Sequence, residues 1–202
     1  VRLPLRWPVV VLVGVVLAVG GIVGAYWDRV DHASVDARHA AALAGLKSDD
    51  VQARIRAVDA LESVTKESPA DQPAVTAELA SFIRSVAGSG NCPDTGVGRD
   101  VQEALNVLVR RKVMSDGTTV VDLHGACLNN AAMGKIGLPY GNLVGTSLVG
   151  AELMFSVLDG ADLTGADLRG ADLDNARLVQ ANLSHTDLSK ANLAGADLNY
   201  SR

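Results

Sequence analysis

From residue 121 onward a leucine returns at almost every fifth position, and this period restricts the shape of the chain more than any other feature. The centres are Leu123, Leu128, Met133, Leu138, Leu143, Leu148, Leu153, Leu158, Leu163, Leu168, Leu173, Leu178, Leu183, Leu188, Leu193 and Leu198, sixteen units with one methionine among them. Two residues before each centre the side chain is small. Ten of these sixteen places hold Ala and four more hold Ser, Thr or Gly, with Val121 and Ile136 as the exceptions. A helix repeats about every 3.6 residues and a strand about every 2, so the period fits neither. A short extended piece followed by a turn, once per unit, does fit. The second residue after each centre carries turn chemistry: Gly in seven units (125, 145, 150, 160, 165, 170, 195) and Asn in two (130, 175). Both tolerate the positive φ of a type II turn.

Four such corners close a square, so twenty residues make one coil and sixteen units make four coils. Coils stacked at the β spacing of about 4.8 Å give a column roughly 20 Å tall. The leucines of the four sides meet in the middle, and the small residue beside each leaves room for its neighbour. One ladder of small positions, Ala131, Ala151, Ala171 and Ala191, is identical throughout. Units such as Ala161-Asp162-Leu163-Thr164-Gly165 resemble those of pentapeptide-repeat proteins. The resemblance covers 121–200 and implies a right-handed quadrilateral β-helix. The first-coil units Met133-Gly134-Lys135 and Leu138-Pro139-Tyr140 depart from the pattern. The expected fold class is mainly β with a helical N-terminal part, the repeat β-helix occupying 121–202.

After a flank of residues 1–6, residues 7–27 carry no charge over 21 positions, with Trp7 at one end and Tyr26-Trp27 at the other. A helix of that length matches a hydrocarbon core of about 30 Å, and aromatic residues suit its borders. A transmembrane helix is expected. The alternative is a cleaved signal peptide, with Arg2 and Arg6 before it and Val23-Gly24-Ala25 at the cleavage site, although signal cores run to about 7–15 residues. Gly14, Ala18, Gly21 and Ala25 share a helix face; ordinary glycine enrichment in membrane helices accounts for them, and close helix pairing is the alternative. Ala-rich residues 28–47 should form a juxtamembrane helix.

Three helices are expected in 48–112. Asp49-x-x-Gln52 has capping-box spacing ahead of the apolar stripe Val51, Ile55, Val58, Leu61 and Val64. Pro69 and Pro73 punctuate the junction to a second stripe, Val75, Leu79, Phe82, Ile83 and Val86, with Gly88 as its C-cap. Asp100-x-x-Glu103 opens the third, with Val101, Leu105 and Leu108 facing inward. Arg110-Arg111-Lys112 close it as last-turn cations that complement the helix dipole; a phosphate-binding patch is the alternative. Residues 113–120 are expected to link this segment to the repeats. The stretches 55–84 and 100–111 resemble the helical segment found before the repeats in membrane-anchored bacterial pentapeptide-repeat proteins. That resemblance implies a single-pass protein of the cell membrane with its soluble part on the cytoplasmic side, and the lipid bilayer as partner through 7–27.

Residues that carry chemistry are sparse. His32, His39, His124 and His185 have no metal-ligand spacing. Asp162, Asp167, Asp172, Asp187 and Asp197 stand one residue before their centres, where carboxylates solvate the column and cap turns. Cys92 and Cys127 have neither the number nor the spacing of a zinc site or disulfide framework, and two unpaired thiols in a reducing compartment are expected. A filled column offers no pocket for acid–base work, and no phosphate-binding loop or nucleophile elbow occurs. No catalytic residue, metal or cofactor is expected.

The expected function is a non-enzymatic, membrane-tethered scaffold or protein-interaction module with an unknown protein partner. The alternative, implied by the resemblance, is a DNA mimic acting on DNA gyrase. Residues 121–200 hold nine acids and four bases, a net charge of −5 broken by Arg169 and Arg177, so the alternative is the weaker and nucleic acid is not expected as a partner. An outward apolar band on the second coil, Val144, Val149, Met154, Phe155 and Val157, is the candidate interaction surface, to be covered by 48–112 or by a partner. Solenoids need caps. Helix 100–112 and the turn Ser115-Asp116-Gly117 can cap the first coil, whereas the coil 181–200 is expected to stay open, to fray or to form a homodimer.

Overall fold

The computed structural model describes residues 34–88, 90 and 92–202. The chain divides into two units, Val1–Arg38 and His39–Arg202. In the first, residues 34–38 are helical. The span expected at 7–27 lies outside the described residues. Among the described residues no helix is long and apolar enough to cross a membrane. The expected single-pass membrane placement is corrected on that finding; the expected bilayer contact through 7–27 lies outside the described residues.

Helix α1 covers 34–45, of which 39–45 belong to the second unit. Helices α2 (Val51–Glu67), α3 (Gln72–Val86) and α4 (Arg99–Arg110) follow, with 3-10 turns at Pro69–Asp71 and Val113–Asp116. Asp50, not Asp49, caps α2: its extended backbone lets its carboxylate accept from the amides of Gln52 (3.0 Å) and Ala53 (3.2 Å). Val58, Leu61 and Val64 of α2, Val75, Leu79 and Ile83 of α3, and Val101, Leu105 and Leu108 of α4 are buried and form the helical core. Val51 and Val86, at the ends of their stripes, are exposed. Helix α3 ends at Val86 with Ala87 as its C-cap, one residue before Gly88. Gly98 precedes α4, and Asp100 is buried against Arg54 of α2 at 2.6 Å instead of capping its own helix.

The repeats form stacked four-sided coils. Twelve parallel bridges join residues twenty apart, from Asp122↔Asn142 to Arg177↔Asp197. Leu123 donates to the carbonyl of Asn142 (2.8 Å), Asn142 donates back to that of Val121 (2.9 Å), and the same exchange recurs down each side. The second residue after each centre has positive φ in all sixteen units, nine of them not glycine. The expectation of a mainly β fold class, a β-helix preceded by a transmembrane helix, is corrected here. Two residues of every five turn, leaving one bridged residue per side, too few for a strand. The described residues hold isolated bridges, no strand, and four helices.

The twelve centres from Leu123 to Leu178 are 0–1% exposed. Leu183, Leu188, Leu193 and Leu198 in the coil 181–200 are half-buried. One polar group in the column lacks a partner: Ser156 Oγ, fully buried, where the same ladder carries Ala176 and Ala196. Thr146, in the ladder of the opposite side, escapes this by donating to the carbonyl of Leu123 at 2.9 Å. An unpaired buried hydroxyl costs about 1–3 kcal/mol. Ser156→Ala is expected to raise the unfolding free energy by about 1 kcal/mol, and a denaturant midpoint below that of the unaltered chain would contradict this.

Candidate functional site

Two places concentrate what the fold can do: the joint between the helices and the first coil, and the outward faces of the coils.

At the joint, the bridge position of each side of the first coil has no coil above it, and a helical residue takes the place of one. On the first side Arg84 pairs with Asp122 and with His124 (3.0 Å). On the second, the amide of Cys127 donates to the carbonyl of Ala87 (2.6 Å). On the third, the Gln102 side-chain amide imitates a strand neighbour, accepting from the Ala132 amide (3.0 Å) and donating to the Ala132 carbonyl (2.8 Å). On the fourth, Arg111 donates to the carbonyl of Gly137 (2.7 Å), and Val113 packs where a Cβ on Gly137 would lie. Unpaired β-edges invite association, and these contacts close this one. Burial raises the pKa of Asp122, but hydrogen bonds from His124 and the charge of Arg84 outweigh it, so the carboxyl titrates below its usual range. The contact is therefore at full strength above the ordinary carboxylate range and is lost as pH falls through the depressed value.

Two features of the joint were not legible in the sequence. Arg111 and Asp116 form a buried ion pair at 2.8 Å, both side chains 5% exposed, so 113–120 is more than a linker. Arg110 turns outward instead, to Glu62 (2.8 Å) and Glu103 (2.9 Å). The second feature is a disulfide between Cys92 and Cys127. It corrects the expected pair of free thiols: 35 residues separate the two in sequence, and only the docking of the 92–98 segment on the second side brings them together.

The outward apolar residues form a belt and not a patch. Val144 lies on the first side, Val149 on the second, Met154 and Phe155 on the third, and Val157 on the fourth. Val144 and Phe155 are exposed, 38% and 51%, while Val149, Met154 and Val157 are half-buried. Met154, Phe155 and Val157 are neighbours around one corner. The helical segment makes its hydrogen bonds with the first coil, one level above this belt.

The carboxylates before the centres cap turns. The side chains of Asp122, Asn142, Asp162, Asp167, Asp172, Asn182, Asp187, Asn192 and Asp197 each accept from the amide two residues on. Arg169 and Arg177 pair with Asp167 and Asp159, both at 2.6 Å. The hydrogen bond from Arg169 holds the Asp167 carboxyl below its usual range. His39 meets Glu78 at 2.7 Å and joins α1 to α3. Among the described residues no cluster of His, Cys, Asp or Glu could hold a metal ion.

The profile of the pentapeptide-repeat family matches residues 142–175 and 166–202. Among solved structures, a pentapeptide-repeat protein of the Arabidopsis thaliana thylakoid lumen is 33% identical over 37% of this chain and 56% of its own, with a TM-score of 0.27. HetL, a pentapeptide-repeat protein involved in heterocyst differentiation regulation in Nostoc sp. strain PCC 7120, is 31% identical over 36% of this chain and 38% of its own, with a TM-score of 0.21. The chain thus spans little more than half of the first and less than half of the second. No curated protein sequence matches it. With the period of five, the left-handed residue in every unit and the family profile in agreement there, residues 142–202 are a run of pentapeptide repeats.

Proposed function

We propose that this chain is a non-enzymatic interaction module whose partner is a protein, seated at the corner formed by Met154, Phe155 and Val157. The observation that supports this is Phe155. It occupies a left-handed turn position, φ 57°, and is 51% exposed. A bulky side chain in that conformation costs about 1–2 kcal/mol, a cost Asn or Gly would escape. Exposed apolar surface adds a second cost in solubility. Strain and exposure also meet at Tyr140 and Tyr200; Phe155 differs in having a ring with no polar group and in standing beside the half-buried Met154 and Val157, which is in keeping with a contact residue. Asn175, the next residue down the same ladder, has φ 54° and shows what an unspecialised turn carries.

Phe155→Asn relieves the strain and gives up the partial burial of the ring, so stability is expected to stay within about 1 kcal/mol of the unaltered chain. A photoreactive phenylalanine at 155 in the living host is expected to crosslink one protein, and Phe155→Asn with the photoreactive group moved to 157 is expected to lose it. Equal crosslinking from position 180, on the fourth-side turn, would sink the assignment. The DNA-mimic alternative is not favoured: the carboxylates it needs are tied to their own turns and to Arg169 and Arg177.

A further inference from the structure

Residues 92–98, between α3 and α4, run as a strap along the second side of the first coil. Asn129 Nδ2 donates to the carbonyl of Pro93 at 3.3 Å, and Asn130 Nδ2 to that of Asp94 at 2.9 Å. A Cβ on Gly96 would lie 3.3 Å from the carbonyl oxygen of Asn129, so the strap passes close. Beneath it Asn129 is 4% exposed, and its Oδ1 accepts from Ser147 Oγ (2.6 Å) and the Val149 amide (3.2 Å) of the second coil. Pro93, Asp94 and Thr95 are exposed, so the strap buries little apolar surface of its own. Two side-chain hydrogen bonds to carbonyls and one disulfide, Cys92–Cys127, fasten it. Each hydrogen bond is individually weak against water. The covalent bond is the dominant fastening.

We infer that Cys92–Cys127 is a redox latch: closed in an oxidising compartment it holds the strap on the coil, and opened by a dithiol reductant it releases the strap and uncovers Asn129 and the second-side edge. The chemistry balances as thiol–disulfide exchange. A thiolate of the dithiol attacks Cys92 Sγ, the less buried sulfur, and Cys127 leaves as thiolate. The second thiol of the reductant then closes on the mixed disulfide and releases Cys92. Two electrons and two protons pass to the chain, and the reductant ends as its own disulfide. The freed Cys127 thiol has the carbonyl of Gly88 within 3.6 Å as an acceptor. The joint does not depend on this bond alone, because Arg84, Gln102 and Arg111 hold the other three sides.

The test is hydrogen exchange of the full chain before and after dithiothreitol, beside Cys92→Ser, with maleimide labelling of the unreduced, denatured chain. Labelling is expected to find no free thiol. On reduction and in the variant, the side-chain amides of Asn129 and Asn130, which donate to the strap carbonyls, and the backbone amide of Cys127 are expected to exchange about tenfold faster or more, while the backbone amides of 141–180 keep their rates. Two free thiols in the unreduced chain, or unchanged exchange at the Asn129 and Asn130 side-chain amides and at Cys127, would overturn the latch. Loss of protection throughout 141–180 would overturn it too, since the bond would then be a staple of the whole fold.

Discussion

Leu168→Asp is expected to unfold the repeat column, whereas Arg169→Asp, one residue later, is expected to leave it folded. Leu168 is fully buried between Leu148 above and Leu188 below in the same ladder. Truncating such a leucine costs about 2–5 kcal/mol. A carboxylate put in its place has no donor within the apolar column, and desolvating it costs several kcal/mol more. The sum reaches or exceeds the roughly 5–15 kcal/mol by which a domain is stable. Arg169 sits in the next turn, its side chain 56% exposed and hydrogen-bonded to Asp167. Its replacement loses an exposed ion pair and adds like charge that water screens. Thermal melts followed by circular dichroism separate the two variants. Equal melting temperatures would mean that the inward register is wrong.

That register is legible because two residues in five must face inward, and leucine fills one of these places almost without exception while a small residue fills the other. The turn conformation is legible only where glycine or asparagine marks it. Lys135, Tyr140, Phe155, Gln180, His185, Lys190 and Tyr200 occupy the same left-handed position, with φ between 57° and 65°, and no composition rule selects them. The stacking of successive coils holds them there. At Gly160 the reason for a glycine is visible: the Tyr140 ring lies within 2.5 Å of where a Cβ would be. A repeat read as extended pieces suggests strands, yet each side spends its residues on the corner and keeps a single bridge. The joint was less legible still. Gln102 gives no sequence signal that its amide will stand in for a neighbouring backbone, and Cys92 meets Cys127 only after the strap has docked. In Arg110-Arg111-Lys112 three cations in a row look alike, and the fold buries the middle one.

The buried pair formed by that middle cation gives the second large effect. Asp116→Ala is expected to cost about 3–5 kcal/mol, because it leaves Arg111 charged and enclosed without its partner. The carboxylate does three things at once. Its Oδ2 accepts from Arg111 Nε at 2.8 Å, and its Oδ1 accepts from Gln72 Nε2 at 2.7 Å and from Thr76 Oγ1 at 3.2 Å. Gln72 and Thr76 are themselves buried, 6% and 2% exposed, so α3 also loses satisfied groups. Through Arg111 the loss reaches the column, since the same guanidinium donates to the carbonyls of Leu108 and Gly137. Asp116→Asn keeps the shape and can still accept, and should cost less than Asp116→Ala. The pairing itself is tested by a double-mutant cycle with Arg111→Met. If the two side chains act as one unit, the double variant costs less than the sum of the singles by more than about 0.5 kcal/mol. Additive losses, or a cost below 1 kcal/mol for Asp116→Ala in urea unfolding, would show that the ion pair is incidental. The cap would then rest on Arg84, Gln102 and the strap alone.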